Sequence, residues 1–177
     1  MSYLRILFGL VLMALSVMLA RMKVQKLELR TKALGDFLGM ARQLEGLIRV
    51  NGRPIPDALM DCSLRNSGSW VGAYAEALSE LYQEKNRSGS IWSAAMEKTA
   101  KQWEEAAALT PDDRQVISMF GDQLAASDIK SIGENYAFLY SRIGESLQAS
   151  DKDRAVKGKL YKTVGMLAGL AAAIIVI

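Results

Sequence analysis

The chain carries an uncharged apolar run near each end, with a charged stretch between them. The runs cover residues 6–20 and 163–177. Each has about 15 residues and reaches about 22 Å as an α-helix, against about 30 Å for the hydrocarbon core of a bilayer. Flanking apolar residues and flexible basic side chains extend both runs. We therefore expect two terminal transmembrane helices, residues 1–20 and 161–177, that flank one domain of residues 21–160.

Basic residues next to both runs predict the orientation. They follow the first run and precede the second, on the side of the middle domain: Arg21, Lys23, Lys26, Lys159 and Lys162. The positive-inside rule then places the domain in the cytoplasm. The alternative is a cleaved signal peptide, which is disfavoured because Met18 stands where a cleavage site ending at Ala20 needs a small residue.

Small residues recur every four positions in the last run, at Gly165, Gly169 and Ala173. They share one helical face and let another helix approach closely. The partner is either another copy or the first run, where Gly9 and Ser16, seven positions apart, offer a matching small face.

The residue types present exclude several kinds of chemistry. The chain has one cysteine and no histidine, which removes Cys/His metal clusters and histidine-dependent catalytic triads. Paired carboxylates occur at 104–105 and 112–113, but neighbours on a helix point about 100° apart. The net charge of +3 is too small for a general nucleic-acid binder. We expect a protein that is not an enzyme, with no cofactor and no metal.

Helical periodicity runs through the whole domain, and strand-type alternation is absent from the sequence. An apolar stripe from Leu27 to Ile48 extends the first helix into the domain, and Asn51-Gly52 ends it. Ser90 and Thr110 are predicted N-caps, with Pro111 in the first turn after Thr110. A last helix is predicted from Ile129 to Ile177. The fold class is all-α: a bundle of about six helices, whose first and last helices continue into the terminal anchors.

Two features of the middle of the chain are candidate binding sites. Glu76, Glu80 and Glu84 follow at steps of four and form an acidic ridge on the third helix, either a partner contact or a solvated face. Three tryptophans and several tyrosines of the domain are typical of a core. If they enclosed a small molecule instead, the protein would be a membrane-tethered sensor.

Several segments resemble the stage III sporulation protein AB family of endospore-forming bacteria. They are the basic leucine-rich helix LRTKALGDFLGMARQLEGLIRVNGRPIPDAL with its Leu44-Glu45 pair, the helix of Trp92, FGDQLAASD, and the closing LYKTVGMLAGLAAAIIVI, where Gly165 to Leu170 is the most specific piece. The chain departs from the family at Ala125, where glycine is usual, and at Ile132, where glutamine is usual.

The resemblance implies a membrane subunit of the apparatus between mother cell and forespore, required for endospore formation. In that family the helical domain is similar to the platform proteins of type II secretion and type IV pilus machines. The implied partners are the stage III sporulation ATPase, protein AA, and other channel subunits. The implied location is the mother-cell membrane around the forespore, with the domain in the cytoplasm.

Overall fold

The computed structural model describes residues 2–83, 90–126 and 129–176, most of which are helical and none of which forms a strand. Within these described ranges, seven α-helices follow one another: α1 (Ser2–Glu45), α2 (Ile55–Arg65), α3 (Trp70–Gln83), α4 (Ile91–Ala100), α5 (Glu104–Ala108), α6 (Pro111–Ala126) and α7 (Ile129–Val176). A π-helical turn, Gly46–Val50, directly follows α1. The predicted all-helical architecture is confirmed, although neither α5 nor the π-helical turn was predicted.

The prediction of transmembrane helices was wrong. Among the helices of the described residues, none combines the length and the apolar character needed to cross a membrane. The two terminal helices are long, with 44 residues in α1 and 48 in α7. Their charge-free runs were about 15 residues each, shorter than the roughly 20 that a bilayer requires, and the added flanks carry charge.

The local signals for helix ends correspond to the structure. Gly52 has a φ of 64°, a left-handed conformation that glycine adopts readily, directly after the π-helical turn. Pro54 precedes α2, and a proline lies in its first turn. The Ser90 side chain accepts a hydrogen bond from the amide of Ser93 and caps α4. The Thr110 hydroxyl accepts one from the amide of Asp113 at the start of α6.

The chain divides into two compact units. One consists of Met1–Leu29 with Ala149–Ile177, and the other is Arg30–Gln148. In the first unit, α1 and α7 approach closely, and the Ser16 hydroxyl donates to the Gly165 carbonyl at 2.9 Å. In the second unit, the short helices and the inner parts of α1 and α7 surround a core that contains most of the buried aromatic side chains.

α3 is the most deeply buried helix of the second unit. Its buried side chains include Trp70, Tyr74 and Leu78. Aromatic rings from several helices then continue across the core, with neighbouring ring centroids 5.0 to 6.1 Å apart: Trp70, Tyr74, Trp92, Phe120, Tyr136 and Tyr140. Edge and tilted packing at these distances adds stability beyond the area that the rings bury.

Candidate functional site

The exposed side of α3 carries the predicted acidic residues. Glu76 and Glu80 are exposed, whereas most other residues of the helix are buried in the core. Residues four apart lie one turn apart on the same helical face, so the two carboxylates form a short ridge. Glu84, the third predicted member, lies outside the described residues.

A groove of about 200 Å³ runs between α3 and α4 beside these carboxylates. We call it the α3–α4 groove. Its lining consists of small, polar and charged residues, of which two are acidic and one is basic: Ala73, Glu76, Ala77, Glu80, Lys98, Thr99 and Gln102.

One carboxylate of the groove is already paired. Lys98 donates to Glu80 at 2.8 Å, and both side chains are more than half exposed. An exposed ion pair of this kind contributes little stability, about 0–1 kcal/mol, because water and salt screen it. A cation from a partner could therefore replace Lys98 at Glu80 at small cost.

Two ion pairs of the second unit join α1 to later helices, and only the first of them is buried. The Arg30 guanidinium donates two hydrogen bonds to the Asp113 carboxylate, at 2.8 and 3.0 Å, and thereby joins α1 to the start of α6. Lys32 donates to Glu105 at 3.0 Å and joins α1 to α5. The sequence signalled the cap at Thr110 but contained no sign of these pairings, because the partners are far apart along the chain.

Burial and hydrogen bonding act in opposite directions on Asp113. Its side chain is 1% exposed, and burial alone would raise the pKa of the carboxyl. The hydrogen bonds from Arg30 and Thr110 outweigh this effect and lower the pKa below its ordinary value. The carboxylate therefore has a structural use, as a buried link between two helices.

In each of the two pairs of neighbouring carboxylates, one side chain forms an ion pair and the other is exposed. Asp113 is buried against Arg30 while Asp112 is exposed, and Glu105 bonds Lys32 while Glu104 is exposed. Within the part of the chain that the structure describes, no group of three or more Cys, Asp or Glu side chains is arranged to hold a metal ion.

A polar cluster lies where the π-helical turn meets α7. The Tyr140 hydroxyl donates to Glu45 at 2.6 Å, and Glu45 also accepts from Arg49. Arg42 lies over the Tyr140 ring at 6.0 Å, within range of a cation–π contact. Burial, followed by the hydrogen bond to Glu45, raises the pKa of Tyr140. These contacts join the end of α1 to α7, and Glu45 also links the π-helical turn to α1 through Arg49.

The aromatic side chains proposed as a ligand cage contact one another instead. Trp92 packs edge-on against both Tyr74 and Phe120, and all three are buried. The lining of the α3–α4 groove contains no aromatic residue. In the described residues the rings have the arrangement of a packed core.

Of the predicted small residues of α7, Gly165 lies at a close contact with α1. A side-chain carbon added at Gly165 would lie 2.5 Å from the Cβ atom of Ala20, so α1 leaves no room for a larger residue at this position. Gly169 and Ala173 also lie on α7, but their surroundings are outside the described side chains.

The flanking basic residues are on the surface of the same unit. Arg21, Lys23, Lys26 and Lys159 are exposed, whereas the side chain of Lys162 is outside the described ones. Large apolar side chains are exposed here as well, including Leu15, Met18 and Leu19 on α1 and Val164, Met166 and Leu167 on α7. Exposed apolar surface of this extent is typical of a contact with other molecules.

The comparison with protein families decides the identity of the chain. The family model described as stage III sporulation protein AB matches residues 5–177, which is essentially the whole chain. The chain belongs to the stage III sporulation protein AB family. The comparisons with curated proteins and with solved structures found no match. Membership of the family implies a role in sporulation.

Proposed function

We propose that this member of the stage III sporulation protein AB family is a non-enzymatic docking subunit of the apparatus between mother cell and forespore. It receives the stage III sporulation ATPase, protein AA, on the mother-cell side and joins it to the other subunits of the apparatus. The family match supports the sporulation role. The docking role is our extension of it.

The exposed carboxylates of α3 carry this proposal. Glu76 and Glu80 line the α3–α4 groove on the helix that is otherwise most deeply buried. A charge on such a rigid element keeps its position when a partner approaches, which favours specific electrostatic recognition. The contact we propose is therefore a set of lysine or arginine side chains of the ATPase that enter the groove.

Charge reversal tests the contact. In the variant Glu76→Lys/Glu80→Lys, the groove becomes basic and repels the proposed cations. We expect the affinity of the full chain for the purified ATPase to fall roughly tenfold or more, with most of the difference removed at high salt. Titration of the immobilised chain with the ATPase measures this effect.

Glu145→Lys is the matched control. Glu145 is an exposed carboxylate of α7 that pairs with a neighbouring arginine, as Glu80 pairs with a lysine, and it does not line the groove. Its reversal should leave the affinity unchanged. Equal binding by the double variant and the unaltered chain would remove the groove as the contact. If the unaltered chain did not bind the ATPase, the docking function itself would be excluded.

Sporulation provides the second test. A strain that carries the double variant should form fewer heat-resistant spores than the Glu145→Lys strain, at equal levels of the protein in the cell. Normal spore counts in the double variant would contradict a docking role for this surface.

A further inference from the structure

Lys98 of α4 pairs with one of the two carboxylates of the α3–α4 groove. Its Nζ atom lies 2.8 Å from the Oε2 atom of Glu80, and the two side chains are 57% and 54% exposed. Among the ion pairs between described residues, none includes Glu76, which lines the same groove. The two carboxylates therefore differ, because only Glu80 is paired with a cation of its own chain.

Hydrogen bonds between α3 and α4 keep Lys98 close to Glu80. The Tyr74 hydroxyl donates to the Trp92 carbonyl at 3.1 Å, and the Trp92 indole nitrogen donates to the Tyr82 hydroxyl at 3.3 Å. Since both helices belong to one packed core, Lys98 returns to Glu80 after each separation without diffusing through solution. A tethered group of this kind competes with a free partner at a high effective concentration.

A cation from a partner meets the two carboxylates under different conditions. At Glu76 it forms an ion pair without breaking one, whereas at Glu80 it must displace Lys98. The pair of Lys98 with Glu80 is exposed, so water and salt screen it. Its displacement therefore lowers the affinity of the partner by at most about fivefold.

We infer that Lys98 is an internal competitor of the ATPase, which limits access to Glu80 and thereby sets the affinity of the α3–α4 groove. This inference rests on the proposed function and assigns a regulating residue to the same site. A lysine or arginine of the ATPase binds Glu80 only in exchange for Lys98.

Lys98→Met tests the inference. The position is exposed, and methionine is about as favourable as lysine in a helix, so the variant should remain folded. Without the competing ammonium group, the full chain should bind the purified ATPase about two- to fivefold more tightly. Titration of the immobilised chain with the ATPase measures the affinity, and thermal unfolding confirms that each variant is folded.

Lys101→Met is the matched control. Lys101 directly follows α4 and pairs at 3.2 Å with Glu97, a carboxylate that does not line the α3–α4 groove. Both substitutions remove a cation from the end of the same helix, where a positive charge is favourable to the helix dipole. Lys101→Met should leave the affinity unchanged. An equal gain in the two variants would be a general effect of net charge, and Lys98 would not be a competitor.

A double-mutant cycle isolates the exchange at Glu80. When Lys98→Met is added to Glu80→Gln, it should no longer increase the affinity, because the carboxylate that Lys98 shields is absent. If the gain persisted in full in the Glu80→Gln chain, Lys98 would act through another group and the inference would be wrong.

The remaining outcomes separate this inference from the proposed function. If Glu76→Lys/Glu80→Lys weakens binding while Lys98→Met binds like the unaltered chain, the inference is overturned and the proposed function stands. Weaker binding by Lys98→Met would make Lys98 a contact of the ATPase instead of its competitor. Binding by neither the unaltered chain nor Lys98→Met would overturn both.

Discussion

Gly121 of α6 lies directly against the indole ring of Trp92. A side-chain carbon at this position would be 2.0 Å from the Cγ and Cδ2 atoms of the ring. Gly121→Ala should therefore displace Trp92 and its aromatic neighbours, at a cost of about 1–3 kcal/mol in the free energy of unfolding. Urea unfolding followed by tryptophan fluorescence measures the loss.

Gly39→Ala is the control for that substitution. Gly39 is exposed on α1, and an added carbon has no neighbour within 4 Å. Because alanine favours the helix over glycine, this variant should gain up to about 1 kcal/mol. Equal stability of the two alanine variants would contradict the close packing of Trp92 on α6.

Asp113 should make the free energy of unfolding depend on pH in the acid range. Its pKa is lowered in the folded chain, whereas an unfolded aspartate titrates near about 3.9. Its contribution is therefore present above about pH 4 and is lost as the pH falls through the lower pKa of the folded state. Asp113→Asn should flatten this acid loss and should destabilise the chain by about 3 kcal/mol at neutral pH, because the buried ion pair between residues 30 and 113 is broken. Urea unfolding at several pH values tests both effects.

Asp112→Asn is the matched change on the neighbouring residue. Asp112 is exposed, and its charge near the start of α6 is worth less than about 1 kcal/mol. If both substitutions changed the pH dependence of the free energy of unfolding equally, the pairing of Asp113 with Arg30 would not be the cause of that dependence.

At the scale of elements, Ser90 is the main determinant of where α4 begins. Its hydroxyl accepts from the Ser93 amide at 3.3 Å and bonds Asp122 of α6 at 2.9 Å. Ser90→Ala should cost about 1–2 kcal/mol in the free energy of unfolding, since both the cap and the link to α6 are lost. Ser93→Ala, an exposed position three residues later, should be nearly neutral in the same urea titration. The reverse order of the two variants would contradict the assigned cap.

Helix boundaries were the most predictable part of the fold, because they depend on residues close together in the chain. Ser90 and Thr110 provide caps that a short window of sequence reveals. α5 was missed because only five residues form it and it has no side-chain cap. The pairing of Arg30 with Asp113 was missed because it depends on how α1 packs against α6. Of the candidate site, the ridge of Glu76 and Glu80 was readable as a periodicity, whereas the α3–α4 groove arises only when α4 packs beside α3.

At the scale of the whole molecule, the prediction of membrane helices was wrong because it was based on short stretches of sequence alone. The predicted spans rested on short apolar runs and on the assumption that their flanks would complete them. In the structure the inner portions of the same two helices, α1 and α7, also form part of the second unit, where Leu34 and Ile143 are core residues. A single long helix can thus have an apolar run at its end and an apolar stripe that faces the core. The sequence pattern alone does not distinguish the two.

The division into two units predicts different responses to two kinds of substitution. All three tryptophans, Trp70, Trp92 and Trp103, lie in the second unit, so tryptophan fluorescence follows that unit alone. Gly165→Val introduces a side chain where Ala20 leaves no space and should weaken the pairing of α1 with α7 in the first unit. We expect helical signal in far-UV circular dichroism to be lost at lower temperature, with the fluorescence midpoint unchanged.

Ala168→Val is the control, because Ala168 is exposed on the same helix and the same side chain there meets no such obstacle. It should change neither signal by more than the small cost of a β-branched residue in a helix. Gly121→Ala, which alters the second unit, should instead lower the fluorescence midpoint before the circular dichroism midpoint. If Gly165→Val lowered the fluorescence midpoint as much as the circular dichroism midpoint, the two units would unfold as one. The terminal helix pair would then contribute to the stability of the bundle that carries the α3–α4 groove.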